Sequence, residues 1–235
     1  MSSSEGGARF AVEWLGRVGY AEALELQEKR LEARRRGSAS DALLLLEHPP
    51  VVTLGRSARP EHLLLSPEAL AARGIELHRV ARGGDVTYHG PGQLVGYLIV
   101  DLAARAGAAG APDVTAFLRR IESVLIAALA ELDVAAYRRV GWTGVFASPS
   151  PGPPRKIASI GIGMRGWVTW HGFALNASLD PADFDVIVPC GLREVVMTSV
   201  ARELGAAPGR ALDQRVRQVV SRAFERDLAG ANSLR

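Results

Sequence analysis

A thiol, an amine and a glycine-rich segment are the parts of this sequence whose types and spacing suit chemistry. The chain holds one cysteine, Cys190, and only two lysines, Lys29 and Lys156, among 28 basic residues. Cys190 stands between Pro189 and Gly191. Those flanks place it in an irregular turn where a thiol can be approached, whereas a cysteine in a helix or strand core is usually a small hydrophobe. Lys156 opens the apolar run Ile157 to Gly163, the kind of position where burial disfavours the charged form of an amine. A solvated surface lysine is the plain alternative. An amine close to a thiol can accept its proton and, once charged, stabilise the thiolate. Spacing alone leaves that pairing open.

The densest polar segment runs Arg82, Gly83, Gly84, Asp85, Val86, Thr87, Tyr88, His89, Gly90, Pro91, Gly92, Gln93. Its glycines and proline permit tight turns and let a ligand approach main-chain amides closely. Two turns joining strands would use the same composition. The polar set Arg82, Thr87, His89 and Gln93 within one short stretch favours a binding loop. Of the five histidines, none stands three or four residues from another, so no pair falls on one helix face and no metal site is indicated. His48, His62 and His78 read as structural or surface residues, while His89 and His171, in glycine-rich surroundings, stay open.

Other motifs exclude more than they support. Gly161-Ile162-Gly163-Met164-Arg165-Gly166 matches the dinucleotide-binding glycine pattern, but that pattern needs a helix opening at its last glycine. The next four residues are Trp167-Val168-Thr169-Trp170, β-branched and aromatic, so a hairpin turn is expected. No Gly-x-Ser-x-Gly elbow and no loop ending in Gly-Lys-Ser/Thr occurs, so serine-esterase and ATP chemistry lose their usual sequence support. A single cysteine excludes an intramolecular disulfide and suits a cytoplasmic setting. No apolar run approaches the roughly 20 residues of a membrane-spanning helix. The net charge of +3 suits acidic protein partners as well as nucleic acid.

These groups need elements to position them. At 235 residues, 48% hydrophobic and 23% charged, the chain suffices for one domain with a sizeable core. Periodicity predicts helices over Tyr20 to Arg36, from Ser66 with Pro67 at its first position to Gly74, over Asp113 to Leu132, Met197 to Leu204 and Ala211 to Leu228. Strands are expected at Ala42 to Glu47, Val51 to Leu54, Ile75 to Val80, Gln93 to Leu102, Val134 to Tyr137, Thr143 to Ala147, Ile157 to Gly163 and Trp167 to Leu175. Ala103 to Ala111 and the proline-rich Ser148 to Pro154 read as loops. Hairpin-like strands with interspersed helices, lacking regular strand-helix alternation, point to an α+β single domain with a mixed sheet and flanking helices.

Taken together, four blocks closely resemble the lipoyl(octanoyl) transferases in order and separation: Arg82 to Gln93, Arg155-Lys156-Ile157-Ala158-Ser159-Ile160-Gly161, His171-Gly172-Phe173-Ala174-Leu175-Asn176 and Ile187-Val188-Pro189-Cys190-Gly191-Leu192. Pro151 to Pro154, ahead of Lys156, makes a richer proline loop than the family pattern. The resemblance implies a fold similar to the catalytic domain of lipoate and biotin protein ligases, with a tail over 1–11, a catalytic domain over 12–228 and a second tail over 229–235. It makes Cys190 the acyl-thioester nucleophile and Lys156 its activating partner. It lines the substrate site with Arg82, Gly83, Gly84, Asp85, Val86, Thr87, Tyr88, His89, Ser159, Ile160, Gly161, Gly172, Phe173 and Ala174.

The implied reaction moves an octanoyl or lipoyl group from acyl carrier protein to a lysine of a lipoyl domain, in 2-oxoacid dehydrogenase E2 subunits or the glycine cleavage H protein. That is the first step of endogenous protein lipoylation. It needs no ATP, metal or other cofactor, and no nucleic acid or membrane partner. A thioester carries enough acyl energy to drive amide formation, which agrees with the missing phosphate-binding loop. Two rivals remain. An ATP-dependent lipoate ligase of the same fold needs a lysine but no cysteine, so Cys190→Ser separates it; a non-catalytic acyl-carrier-binding module needs neither residue.

Overall fold

The computed structural model describes residues 10–107, 110–148, 151–191 and 194–229, with the backbone alone at Cys190. The tails expected over 1–11 and 229–235 lie mostly outside the described residues. Inside them, Phe10 is already buried in the core, and the first strand starts at Ala11.

The strands are β1 (Ala11–Arg17), β2 (Ala42–Glu47), β3 (Val51–Leu54), β4 (Glu76–Arg79), β5 (Val86–His89), β6 (Gln93–Ile99), β7 (Ala136–Tyr137), β8 (Val145–Ala147), β9 (Arg155–Arg165), β10 (Val168–Asn176) and β11 (Val196–Met197). The helices are α1 (Tyr20–Arg35), α2 (Pro67–Ala72), α3 (Leu102–Ala106), α4 (Val114–Ala130), α5 (Val200–Leu204) and α6 (Arg210–Ala229). A mixed sheet runs in the order β1-β2-β6-β10-β9-β8-β7, with β11 also paired to β9, and a smaller sheet runs β4-β3-β5. Parallel pairs (β1 with β2, β11 with β9) sit among antiparallel ones, the mixed α+β arrangement expected.

The unbroken apolar run in β2 is explained by burial on both faces. Leu43 and Leu45 join the core formed with α4 and α6, while Leu44 and Leu46 face the layer containing Ala23 and Leu26 of α1. The expected hairpin between β9 and β10 is present. Its two turn residues, Gly166 and Trp167, both have positive φ, +57° and +64°, the twist that two-residue hairpin loops favour.

Four expectations change. β1 is an added strand: Ala-Val-Glu-Trp-Leu-Gly-Arg has no unbroken apolar run to announce it, and parallel pairing to β2 supplies its stability. Leu102–Ala106 is a helix, not part of a surface loop, because the Asp101 side chain accepts from Ala104 N and caps it. Val196 and Met197 pair with β9 instead of opening a helix, and α5 waits for its Ser199 cap. Val86–His89, expected within a glycine-rich loop, forms a fully buried strand against β3.

Candidate active site

The β9-β10 hairpin builds a floor of small side chains. Ser159 pairs with Ala174 and Gly161 with Gly172, and paired residues of an antiparallel ladder share a face. Between them, Phe173 turns to the opposite face, where its ring stacks on Phe224 of α6 at 5.1 Å. The small residues Ser159, Gly161, Gly172 and Ala174 leave a trough on their face, which Ile160 and Phe173 also border. Segment 82–87 lies over it, pinned by Gly83 N donating to Ile162 O at 2.8 Å. Arg82 is buried, and its Nη2 donates to Thr53 O and Oγ1 at 2.9 and 2.8 Å, so the guanidinium clamps this segment onto β3.

The cavity, open to one side, measures about 320 Å3, within the range of small-ligand sites. Arg82, Gly84, Asp85, Val86, Thr87 and His89 line it from above, and Lys156, Ser159, Ile160, Gly161, Gly172, Phe173 and Ala174 from the sheet. Three separate sequence blocks therefore meet in one space. Two expected lining residues do not. Gly83 ties the segment to β9, and Tyr88, alternating with Thr87 and His89, turns into the second core, where its ring meets Phe184 at 5.7 Å.

The lining also includes residues that carried no signal in the sequence, among them Tyr20, Val95, Tyr97 and the stretch Gly141, Trp142, Thr143. His171, left open by its sequence context, lines it too. Its φ is +57° and its buried Nε2 has no hydrogen-bond partner among the described residues.

The two histidines of the lining are uncharged. Burial pushes His89 and His171 down to about 3, with the Arg82 guanidinium adding to both shifts. His89 Nδ1 donates to Gln93 Oε1 at 2.7 Å, and Gln93 Nε2 donates to Asn176 Oδ1 at 2.9 Å. Gln93 thus orients the imidazole from behind. Next to them, His48 accepts from Tyr97 Oη at 2.6 Å, donates to Val18 O at 2.7 Å, and is pushed by burial down to about 4. Burial raises Tyr20 to about 12.

These three buried neutral imidazoles set an acid limit. In the unfolded chain a histidine titrates at about 6.5. Below that pH the unfolded chain binds protons the native state refuses, so stability falls by up to about 1.4 kcal/mol per pH unit for each histidine. The fall ends only where the native imidazoles protonate, near 3 to 4. Thermal melts should therefore drop steadily from about pH 6.5 to 4.5; a constant Tm across that interval would contradict the assignment.

Lys156 is 2% exposed. Its Nζ lies 5.8 Å from the Phe146 ring centroid, and Gly144 covers the end of its side chain. A Cβ at Gly144 would stand 2.8 Å from Lys156 Cε and 3.3 Å from Nζ. Gly144 N donates to Glu122 Oε1 at 2.9 Å, and Glu122 is fully buried and paired with Arg119 at 2.7 Å. The amine is thus held from α4 through one glycine. Cys190 lies in the 3-10 turn Pro189–Gly191. Its neighbour Gly191 abuts Asp85 of the cavity wall, where an added Cβ would be 2.7 Å from Oδ2.

Among the described residues no group of three His, Cys, Asp or Glu side chains is placed to hold a metal ion, and no helix is long and apolar enough to cross a membrane. Fold and site together define a single α+β catalytic-type domain whose mixed sheet floors a narrow cavity with a buried amine in its wall. The chain belongs to the lipoyl protein ligase A/B catalytic domain family, whose pattern matches residues 19–225. It is 47% identical over 203 residues to a protein of Acidobacterium capsulatum named octanoyltransferase, covering 85% of this chain and 82% of that one. An octanoyltransferase of Chloroflexus aurantiacus is 44% identical over 201 residues, covering 85% and 86%. Among solved structures, that of a bipartite lipoate protein ligase and its E2 lipoyl domain from Thermoplasma acidophilum shares the fold. The TM-score is 0.66 and the identity 18%, over 94% of this chain and 83% of that one.

Proposed function

We propose that the chain is an octanoyltransferase: it moves an octanoyl or lipoyl group from the phosphopantetheine thioester of acyl carrier protein to a lysine amine of a lipoyl domain. The acceptors would be the lipoyl domains of 2-oxoacid dehydrogenase E2 subunits and the glycine cleavage H protein, and the setting cytoplasmic. The observation that carries this reading is the cavity. It brings a buried lysine amine, a floor of small side chains and the wall against which Gly191 packs into one space, in a chain whose relatives at 44 and 47% identity are octanoyltransferases.

In the proposed path Lys156 Nζ takes the Cys190 thiol proton. The thiolate adds to the thioester carbonyl, the phosphopantetheine thiolate leaves and takes the proton back from Lys156 Nζ, and the acyl group rests on Cys190 Sγ. The acceptor lysine amine then attacks that carbonyl, an amide forms, and the Cys190 thiolate departs. The amine's proton is received by Lys156 or by the leaving thiolate. Each half-reaction exchanges one bond to the acyl carbon for another, so the proposed reaction requires neither ATP nor metal. The floor of small side chains, Ser159, Gly161, Gly172 and Ala174, gives an aliphatic chain room to lie along the sheet. At about 0.8 kcal/mol per buried methylene, six methylenes contribute roughly 5 kcal/mol, ample to prefer octanoyl over acetyl.

Intact-mass spectrometry after incubation with octanoyl-acyl carrier protein, without ATP, tests the path. An octanoyl adduct on the wild-type chain that hydroxylamine removes, absent from Cys190→Ala, is expected; no adduct on acyl-carrier-saturated enzyme would sink it. The Gly144 contact gives a further test. Its φ of +123° and the space filled by Lys156 leave no room for a side chain. Gly144→Ala is expected to slow transfer about 10–100-fold by displacing the amine, with stability lower by about 1–3 kcal/mol. Normal steady-state kinetics in that variant would show that Gly144 does not set the lysine's position.

A further inference from the structure

We propose that His62 and Asp85 are positioning residues for the Cys190 turn, a role that rests on Cys190 being the acyl-carrying nucleophile. Residues 62–64 and 186–188 form a short antiparallel ladder. Val188 N donates to His62 O at 2.8 Å and Leu64 N to Val186 O at 3.0 Å, with Leu63 bridged to Ile187. The ladder ends two residues before Cys190. From there the side chains take over. His62 Nδ1 meets Asp85 Oδ2 at 2.5 Å, both groups nearly buried at 11% and 12% side-chain exposure. Asp85 is itself fixed, since its Oδ1 accepts from Val86 N at 2.7 Å and from Arg59 N at 3.3 Å.

The pair forms the surface on which the backbone just after Cys190 rests. Gly191 has φ +68°, and a Cβ there would lie 2.7 Å from both Asp85 Oδ2 and His62 Cε1. Gly191 N closes the turn by donating to Val188 O at 3.0 Å. Asp85 also lines the cavity, so the pair joins the turn to the cavity wall. Removing the imidazole leaves Asp85 Oδ2 without its partner and Gly191 without support. The turn then gains freedom where attack geometry matters most, and a misplacement of about 1 Å costs on the order of 100-fold in rate.

The test compares His62→Ala with His62→Asn, whose amide nitrogen can replace Nδ1 as the donor to Asp85. His62→Ala is expected to lower kcat for octanoyl transfer about 100-fold, with KM for octanoyl-acyl carrier protein changed by less than about twofold. His62→Asn should recover about tenfold or more of that loss. Alkylation of Cys190 by iodoacetamide, followed by mass, should slow in His62→Ala and recover in His62→Asn. This arm needs no acyl substrate: if the wild type forms no octanoyl adduct, the octanoyl reading fails, yet the alkylation contrast still reports on the turn. Wild-type kcat and alkylation in His62→Ala would overturn the proposal. So would equal losses in both variants that track a fall in Tm, since that pattern belongs to a purely structural residue.

Discussion

Cys190→Ala is expected to lose octanoyl transfer almost completely, with kcat/KM lower by at least about 10^4-fold, the scale seen when a covalent nucleophile is removed. The physical reason is that without the thiolate the two carrier domains must meet directly. Each arrives with its reactive group on a flexible arm, and the entropy of bringing thioester and amine together in attack geometry is no longer divided between two steps. Cys190→Ser should be nearly as poor in transfer. The measurement is acyl transfer from octanoyl-acyl carrier protein to a purified lipoyl domain, monitored by the mass of the acceptor. The same variant discriminates the ligase alternative: Cys190→Ser with undiminished acylation from free octanoate and ATP would replace the transferase reading.

Lys156→Arg should cost the next largest amount, about 10^2–10^4-fold in kcat, the usual contribution of a positioned proton acceptor. Arginine keeps the positive charge but does not deprotonate at working pH. The variant therefore separates proton acceptance from electrostatic stabilisation of the thiolate. Space is the complication, since the residue is 2% exposed and even a methyl group at Gly144 would stand 2.8 Å from Lys156 Cε. Lys156→Met, close in volume and uncharged, controls for it. Lys156→Met should retain near-wild-type Tm, Lys156→Arg should cost about 1–3 kcal/mol of stability through overpacking, and both should fail in the acylation half-reaction, measured by the rate of adduct formation on Cys190. Near-normal turnover in Lys156→Arg would leave the lysine an electrostatic role only.

Legibility differed between the parts of the site. The blocks around Arg82, Lys156 and Gly172 stand out in the sequence by residue type and by family resemblance; the clamp of Arg82 on Thr53, the burial of Lys156 and the trough beside Gly172 come from packing. Tyr20 and Tyr97 carried no signal, because a tyrosine at a helix start or in a strand looks like core until the chain brings it beside His48, His89 and His171. His62 was misleading for the same reason. As a lone histidine in an irregular stretch it reads as structural or surface; its contact with Asp85 comes from a residue 23 positions away, and its contact with Gly191 from still farther along the chain. Glu122 likewise reads as an ordinary polar position within an amphipathic helix, and only folding buries it against Gly144.

The elements themselves divide the same way. Helix α4 is expected from apolar residues four apart, and α2 from Ser66 and Pro67, because periodicity and capping act within a few residues. Strand β1 and the two-residue β11 are not, because their hydrogen bonds are made to β2 and β9 and nothing local demands them. By itself the sequence determined the α+β class, the polar and glycine-rich character of Arg82 to Gln93, though not the strand Val86–His89 within it, and the scarcity that makes Cys190 and Lys156 stand out. Tertiary structure alone decided that the blocks share one cavity, that Lys156 is enclosed by Gly144, and that His62 and Asp85 support the backbone beside Cys190. The reason is physical: propensity, capping and alternation are short-range, whereas burial and side-chain pairing between residues tens of positions apart exist only once the chain has packed.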